Sequence, residues 1–238
     1  MGHGALREGP AAARQLSRPG RLDATTGRTI RSGMAREAPP SKGSDTRQRI
    51  LDQALALAST TGIEGLTLGV LASSLDLSKS GLFAHFRSRE ALQVAVLEVA
   101  AERFRQFVVF PALAEPRGES RLRALITKWV EWGGAKFQPG GCIFVSAAAE
   151  LDDRPGPVRD VLVKAQRDWF STISQAVRGA VEEGHFRADV DPDQFTFEVY
   201  GIALSLHHHS RLMRQPGALA RAQAAFERLV ESSRSPSN

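Results

Sequence analysis

Cysteine is almost absent from this sequence, since Cys142 is the only one among 238 residues. A single thiol excludes an internal disulfide framework and fits a reducing compartment. Long apolar runs are missing too, because no stretch approaches the ~18 residues that a membrane-spanning helix needs. The first residues contain scattered arginines but no apolar segment of the kind found in secretory signals. We therefore expect a cytoplasmic protein without a membrane partner.

Catalytic and metal-binding motifs are also missing. The sequence has no Gly-x-Ser-x-Gly, no metal-ligand spacing and no glycine-rich phosphate loop. Glu150, Asp152 and Asp153 lie close together, but we interpret them as the polar end of a helix rather than as a catalytic carboxylate cluster. We predict no catalytic residue, no cofactor and no metal site. An all-helical dimeric enzyme that acts on a small molecule remains an alternative.

The excess of positive charge is confined to the N-terminus. Residues 1–43 contain eight basic and three acidic side chains, so this segment accounts for the whole formal charge of +5. It is rich in Gly, Pro, Ala, Arg and Ser and cannot bury enough apolar surface to offset the entropy of ordering, so we predict disorder. It is either a basic arm that contacts DNA phosphates or upstream sequence with Met34 as the actual start. We favour the second interpretation.

Apolar residues recur at helical spacing from Ile50 onward. There is no alternating strand pattern and no internal repeat, so the predicted fold class is all-α. Ser44 or Asp45 is expected to cap the first helix, and Pro111 to close the fourth. A disordered tail is predicted over residues 234–238. The nine predicted helices cover residues 44–61, 67–75, 78–86, 88–111, 122–137, 143–151, 155–183, 191–213 and 217–232.

The second and third predicted helices are short and follow one another closely. Thr67 and Ser78 are suitable N-caps for them. The third helix begins with small or polar residues, Ser78 to Gly81, where a core helix would carry leucine. A helix of two turns fits the DNA major groove, which is ~12 Å wide, and presents three or four side chains to base edges. The pair therefore predicts a helix-turn-helix that binds DNA.

Over residues 46–92 the chain, TRQRILDQALALASTTGIEGLTLGVLASSLDLSKSGLFAHFRSREAL, resembles the TetR family of bacterial one-component transcriptional regulators. The resemblance lies in the Thr that begins helix two, the Ser-Lys that begins the recognition helix, its aromatic-x-His-Phe end and the Ser-Arg-Glu-Ala-Leu that opens helix four. It implies a DNA-binding domain over residues 44–90 and a helical effector-binding and dimerisation domain over residues 91–233. The DNA-contacting residues that it implies are Arg47, Thr67, Ser78, Lys79, Ser80, Gly81, Phe83, His85 and Arg89.

The motif departs from the family pattern at two positions. Phe83 stands where the family usually has Tyr, whose hydroxyl bonds a phosphate, and Asp76 replaces the usual turn Gly. Residues 44–90 are formally neutral, but Lys79, Arg87 and Arg89 concentrate beside the recognition helix. We therefore expect a shallow salt dependence of DNA binding for a dimer.

The resemblance also implies partners. A homodimer formed through the eighth and ninth predicted helices would place two recognition helices ~34 Å apart on a palindromic operator in double-stranded DNA. A small-molecule effector, whose identity the sequence does not reveal, would bind in the C-terminal domain, tilt helix four and release the DNA. The expected function is repression. A DNA-binding regulator without an effector is a further alternative.

In this family the effector cavity lies among helices four to eight, so some aromatic residues there should line it. The three histidines at 207–209 cannot converge on one metal ion, because neighbours on a helix point about 100° apart. Cys142 opens helix six, and a helix N-terminus lowers a thiol pKa, which leaves a redox-sensing role open beside simple packing. The residues expected to line the cavity are Phe107, Trp132, Phe144, Trp169, Tyr200 and His208.

Overall fold

The structure, a computed structural model, describes residues 42–236. Every regular element in this range is a helix, which confirms the all-α prediction, and none of these helices is long and apolar enough to cross a membrane. The disorder predicted for residues 1–43, and the question about Met34, lie outside the described residues apart from positions 42 and 43. The elements are α1 (Lys42–Thr61), α2 (Leu68–Leu75), α3 (Lys79–Phe86), α4 (Arg89–Phe104), a π turn (Arg105–Val109), α5 (Phe110–Leu113), α6 (Glu119–Gly133), α7 (Ile143–Leu151), α8 (Pro157–Glu182), α9 (Pro192–Arg211) and α10 (Ala218–Ser233).

Hydroxyl side chains cap the N-termini of α2, α3 and α4, as predicted for Thr67 and Ser78. Thr67, Ser78 and Ser88 each accept the backbone N–H three residues further on, at 3.0–3.1 Å. Asp76 ends α2 with φ 54°, a left-handed conformation that Asp tolerates. The cap expected at Ser44 or Asp45 is wrong, because α1 already begins at Lys42. Hydroxyl caps from neighbouring residues therefore fix where the two helices of the helix-turn-helix begin.

The fourth predicted helix does not end at Pro111. After α4 the chain makes a π turn, in which the backbone N–H of Phe110 donates to the carbonyl of Arg105. Pro111 follows in the first turn of α5, where the N–H that proline lacks is not needed by the helix. The added residue of the π turn thus allows the chain to stay helical up to Leu113.

Two apolar clusters form the interior. The first joins α1 to α4 with α7 and the start of α8, so Leu55, Leu82 and Leu92 are packed in one cluster with Ile143 and Leu151. The second joins the end of α4 and the π turn with α6, α8, α9 and α10. The helices of the helix-turn-helix therefore share their core with α7, which lies more than fifty residues later in the sequence.

The chain remains attached to the fold at Arg234, where we predicted the start of a disordered tail. The Arg234 guanidinium binds the Glu119 carboxylate with bonds of 2.6 and 3.0 Å. Glu119 also pairs with Arg123, which in turn makes a bidentate pair with Glu227. These cations hold the pKa of Glu119 at about 2, with Arg234 the largest cause. Because Glu119 lies 115 residues from Arg234 in the sequence, no local pattern indicates this attachment.

Candidate nucleic-acid interface and ligand cavity

Helix α3 is anchored by two side chains and leaves the rest of its surface exposed. Leu82 and Phe86 are buried, whereas Lys79, Ser80 and Gly81 are exposed. The N-cap Ser78 is also exposed, and its Oγ lies 3.1 Å from Ser80 Oγ. The exposed phenyl ring of Phe83, with 55% of its surface accessible, lies on the same helix. The exposed residues match the predicted groove-facing set.

Lys79 and Thr67 come together at the start of α2. A Cβ placed on Gly69 would lie 3.3 Å from Lys79 Cε and 3.9 Å from Thr67 Oγ1, so both polar groups border this glycine. Thr67 Oγ1 accepts the Val70 N–H, which leaves the hydroxyl proton free to donate. A helix N-terminus with a free hydroxyl and an ammonium group beside it is suited to an anionic oxygen.

Two more of the predicted residues, Arg47 and His85, lie around Phe86. The Arg47 guanidinium stands 5.2 Å from the centre of the Phe86 ring. His85 is half-buried, and its ring centre lies 6.2 Å from that of Phe86. Phe86 therefore supports Arg47 and His85 from the core side, while both remain at the surface of the helix-turn-helix.

Arg89 is bound within the protein, contrary to the role expected for it. Its Nε donates to the Leu66 carbonyl at 3.2 Å, and its Nη2 donates to the carbonyl and the carboxylate of Glu64. Glu64 also pairs with Arg154 at 2.7 Å. Because Nε and Nη2 are bound by these groups, Arg89 stabilises the loop before α2 and is not a free cation.

Arg87 is the free cation that the predicted set omitted. It is exposed and has φ 56° as the C-cap of α3, where its backbone N–H donates to the Phe83 carbonyl. Its guanidinium has no partner among residues 42–236. Its position directly after Phe86 places it at the end of the recognition helix. The sequence did indicate Arg87, because it belongs with Lys79 and Arg89 to the positive residues beside α3. Arg89 was chosen instead because it matches the position of a basic residue in the family pattern.

A cavity of about 330 Å³ lies among α4, the π turn, α6, α7, α8 and α9, and we call it the aromatic cavity. Phe144, Trp169 and Tyr200 line it as predicted. The sequence analysis missed Phe104 and Trp129, which also line it. The five rings contact one another, with Phe104 and Trp169 edge-to-face at 4.9 Å and Trp129 stacked on Tyr200 at 6.0 Å. A cavity of this size and lining is suited to a small, largely apolar molecule.

Phe107 and Trp132 do not line the aromatic cavity, and the predictions for them are wrong. Trp132 is fully buried, between Phe104 and Phe137. Phe107 lies in the π turn with 36% of its surface exposed and contacts Trp132 from outside. Phe107 lies three residues after Phe104, and Trp132 lies three residues after Trp129; Phe104 and Trp129 do line the cavity. The residues named from the sequence therefore lie about one helical turn beyond the rings that line the cavity.

The three histidines of α9 enter different surroundings. His207 lines a second cavity of about 680 Å³ between α6, α9 and α10, and burial lowers its pKa. His209 faces a groove between α9 and α10. His208 is exposed and borders neither the aromatic cavity nor this second one, so the prediction that it lines the ligand cavity is wrong. A step of one residue turns a side chain by about 100°, so His207 and not His208 lines a cavity.

Cys142 and Tyr200 supply polar atoms to the aromatic cavity. Burial raises the pKa of the Cys142 thiol, and this outweighs the backbone N–H groups of Phe144 and Val145, which act in the opposite direction. The lowered pKa expected from the helix N-terminus is therefore not found, because the thiol is only 6% exposed. Burial likewise raises the pKa of Tyr200, whose hydroxyl lies 3.5 Å from Gln166 Oε1. Both groups are neutral near pH 7.

Helices α9 and α10 expose an apolar surface. Phe197, Gly201, Leu204 and His208 follow each other at helical spacing on one exposed face of α9, and Phe197 is 75% exposed. The groove of about 740 Å³ beside this face is lined by residues of both helices, small ones such as Gly201 and Ala222 together with charged ones such as Glu198 and Arg228. Monomeric proteins rarely expose contiguous apolar patches of this kind, so the face has the character of an interface.

Comparison with known proteins gives the same assignment for both parts of the chain. Residues 50–96 match the family model of bacterial regulatory proteins of the tetR family, and residues 118–226 match the Tetracyclin repressor-like C-terminal domain. The chain is 26% identical over 192 residues to the HTH-type transcriptional repressor NemR of Escherichia coli, covering 78% of this chain and 94% of NemR. Its fold is similar to that of a TetR family regulator from Cytophaga hutchinsonii, with a TM-score of 0.74, 18% identity and coverage of 84% and 100% of the two chains. It is also similar to AibR in complex with isovaleryl coenzyme A and operator DNA, with a TM-score of 0.63, 20% identity and coverage of 80% and 99%.

Proposed function

The chain belongs to the TetR family of bacterial regulatory proteins, and we propose that it is a homodimeric transcriptional repressor that a small molecule releases from its operator. In this proposal residues 44–90 bind DNA and residues 91–233 bind the effector and the second subunit. The protein acts in the cytoplasm, where a bacterial chromosome lies, and it performs no catalysis. The support comes from the exposed face of α3, the aromatic cavity and the apolar face of α9, in that order.

The observation that carries the proposal is the exposed surface of α3 and the start of α2. Lys79, Ser80 and Gly81 are free to enter a major groove because Leu82 and Phe86 hold the helix from its opposite side. The free hydroxyl proton of Thr67 can be donated to a phosphate. Phosphate contacts of this kind fix the register of a protein on DNA, and the side chains of the recognition helix then read the bases.

Arg87 replaces Arg89 among the proposed phosphate contacts. The guanidinium of Arg89 is already bound to Glu64 and Leu66, whereas Arg87 is exposed beside the end of α3. Arg87 also compensates in part for Phe83, which lacks the phosphate-binding hydroxyl of the usual Tyr. We retain Arg47 and His85 as flanking contacts, because both lie at the surface next to Phe86.

The aromatic cavity supports an effector-responsive regulator over one without an effector. Its volume of about 330 Å³ lies at the lower end of the range for small-molecule sites, so we propose a compact, mostly apolar effector. NemR is a transcriptional repressor, and AibR is known in complex with isovaleryl coenzyme A and operator DNA, so proteins similar to this chain combine operator binding with small-molecule binding. For release, the effector must bind the DNA-incompetent conformation more tightly than the DNA-bound one.

The apolar face of α9 supports a homodimer. Phe197 and Leu204 on this face, together with the groove between α9 and α10, suit a four-helix interface formed by these two helices of both subunits. A two-fold interface of this type repeats the recognition helix symmetrically, as a palindromic operator requires.

The proposal is tested by duplex selection followed by binding measurements. The wild-type protein is incubated with a random-sequence duplex library, and the enriched sequence is then titrated by fluorescence anisotropy at fixed salt. We expect a palindrome, and we expect Lys79→Ala to weaken binding at least about tenfold. Lys136→Ala is the matched control, since Lys136 is exposed, remote from α3 and without a partner among residues 42–236. Equal affinities of these two variants would refute the groove assignment, and failure to enrich any duplex would refute the proposed function.

A further inference from the structure

Glu150, near the end of α7, binds the backbone of the loop that precedes α2. Its carboxylate accepts the N–H of Ile63 at 3.1 Å and that of Glu64 at 2.8 Å. Gly62, with φ +81°, leaves the necessary space, because a Cβ there would lie 2.5 Å from Glu150 Oε1. Two N–H groups donating to one carboxylate make a charge-assisted pair of bonds, which is stronger than bonds between neutral groups.

The other end of α7 is attached to the same part of the protein. The N–H of Gly140, just before α7, donates to Ser59 Oγ at 3.0 Å. A side chain at Gly140 would overlap the Ser59 carbonyl, so the two backbones are in direct contact. Helix α7 is therefore held at one end by the last turn of α1 and at the other by the loop that follows it.

The opposite side of that loop is held by α4. The buried Gln93 amide donates to the Ile63 carbonyl at 2.7 Å, and Arg89 donates to the Leu66 carbonyl. In the loop between α1 and α2, two N–H groups are thus bound by α7, and the carbonyls of Ile63, Glu64 and Leu66 are bound by α4. It ends at Thr67, the N-cap of α2 and a proposed phosphate contact. The position of Thr67 depends on both helices.

The first turn of α7 forms part of the aromatic cavity. The N-cap Cys142 and the side chains of Phe144 and Val145 line the cavity wall. Phe144 and Glu150 are six residues apart on one helix, which is about 9 Å along its axis. A molecule that displaces Phe144 or Val145 must therefore move α7, and with it the carboxylate that holds the loop.

We propose that Glu150 is a positioning residue, which couples the state of the aromatic cavity to Thr67 and α2 through the backbone of Ile63 and Glu64. This role rests on the proposed function, because Thr67 is taken as a DNA contact. A purely structural carboxylate would contribute to overall stability only. A positioning carboxylate determines the geometry of one loop and, through it, the affinity for DNA.

The first experiment removes the carboxylate. Amide hydrogen exchange and affinity for the selected duplex are measured for wild type, Glu150→Gln, Glu150→Ala and the control Asp153→Asn. Asp153 is exposed three residues beyond Glu150, and its carboxylate has no partner among the described residues. We expect exchange at residues 63 and 64 to rise at least about tenfold in Glu150→Ala, and less in Glu150→Gln, which keeps one acceptor oxygen. We also expect at least about fivefold weaker duplex binding, with the protection of α8 unchanged.

Three results would overturn the assignment. Exchange and affinity like those of Asp153→Asn would mean that the carboxylate does not hold the loop. Faster exchange throughout α8 would mean a general loss of stability. Faster exchange at residues 63 and 64 with unchanged duplex affinity would mean that the loop does not position the DNA contacts.

The second experiment tests the link to the cavity. Ala165→Phe places a ring in the aromatic cavity from α8, and Thr172→Phe does so from the same helix if the first variant fails to fold. In the wild-type background we expect either ring to change exchange at residues 63 and 64, and in Glu150→Ala we expect no further change. No effect in wild type, or the same effect in both backgrounds, would contradict the coupling. If wild type selects no duplex, the proposed function fails, while the exchange data still decide whether Glu150 connects the cavity to the loop.

Discussion

Arg87 and Arg89 are two residues apart, and the structure predicts opposite consequences of removing them. Arg87 is exposed and free to reach a phosphate, whereas Arg89 is bound to Glu64 and Leu66. In a dimer, Arg87→Ala removes two phosphate contacts, which lowers the slope of log K against log salt by about 1.8. If wild type and Arg87→Ala bind equally at 1 M salt, this difference in slope makes the variant bind about thirtyfold more weakly than wild type at 0.15 M, which is about 2 kcal/mol.

Arg89→Ala should leave that slope unchanged and instead reduce the melting temperature, because it breaks bonds inside the protein. The assay is fluorescence anisotropy of the selected duplex between 0.05 and about 0.3 M salt, with thermal denaturation of each variant. Arg167→Ala is the control for net charge, since Arg167 is exposed on α8 without a partner in the described part of the chain.

Two outcomes would refute the assignment of these arginines. An unchanged slope in Arg87→Ala would show that this side chain does not contact phosphate. A slope reduced by Arg89→Ala as much as by Arg87→Ala would show that the bonds from Arg89 to the loop open when DNA binds.

Three further predictions concern the recognition helix, the interface and acid stability. Phe83→Tyr should bind the selected duplex as tightly as wild type or more tightly, because it restores a phosphate-bonding hydroxyl; a marked loss in the same titration would show that the ring packs differently. Leu204→Glu should convert the dimer to a monomer in light scattering, and an unchanged mass would argue against the α9 interface. Glu119→Gln should lower the free energy of unfolding by at most about 3 kcal/mol at pH 7, measured by urea unfolding. The difference should fade as pH falls from the usual pKa of 4.5 towards about 2, because the arginines stabilise only the ionised carboxylate. A difference that persists at pH 2 would mean that lost packing, not the Arg234 pair, is responsible.

Local features of this fold could be predicted from the sequence because their causes lie within a few residues. Thr67, Ser78 and Ser88 cap their helices through N–H groups three residues away, a spacing that the sequence displays directly. Gly62 lies at the left-handed position after α1 for the same reason. The exposed polar start of α3 follows from its sequence, since the buried residues Leu82 and Phe86 are four positions apart on one face and the first three residues of the helix are polar or small.

Side-chain partners that are distant in sequence could not be predicted. Arg89 binds a carbonyl and a carboxylate 25 residues earlier, and nothing in the family pattern marks Glu64 as their source. The aromatic cavity shows a second limit. The sequence analysis named Phe107 and Trp132, but the rings that line the cavity lie about one turn earlier, at Phe104 and Trp129. Apolar periodicity reports which face is buried and carries no information about position along the axis.

The predicted boundary at residue 90 follows the sequence motif, whereas the contacts cross it. Residues of α1 and α3 share a core cluster with Ile143 and Leu151, and the loop before α2 is bound by Glu150 and Gln93. Because interiors are close-packed, a small displacement of α7 cannot be absorbed between these elements. We therefore expect the helix-turn-helix to follow a displacement of α7, because the hydrogen bonds and core packing on this side of the cavity supply the contacts that the proposed coupling requires.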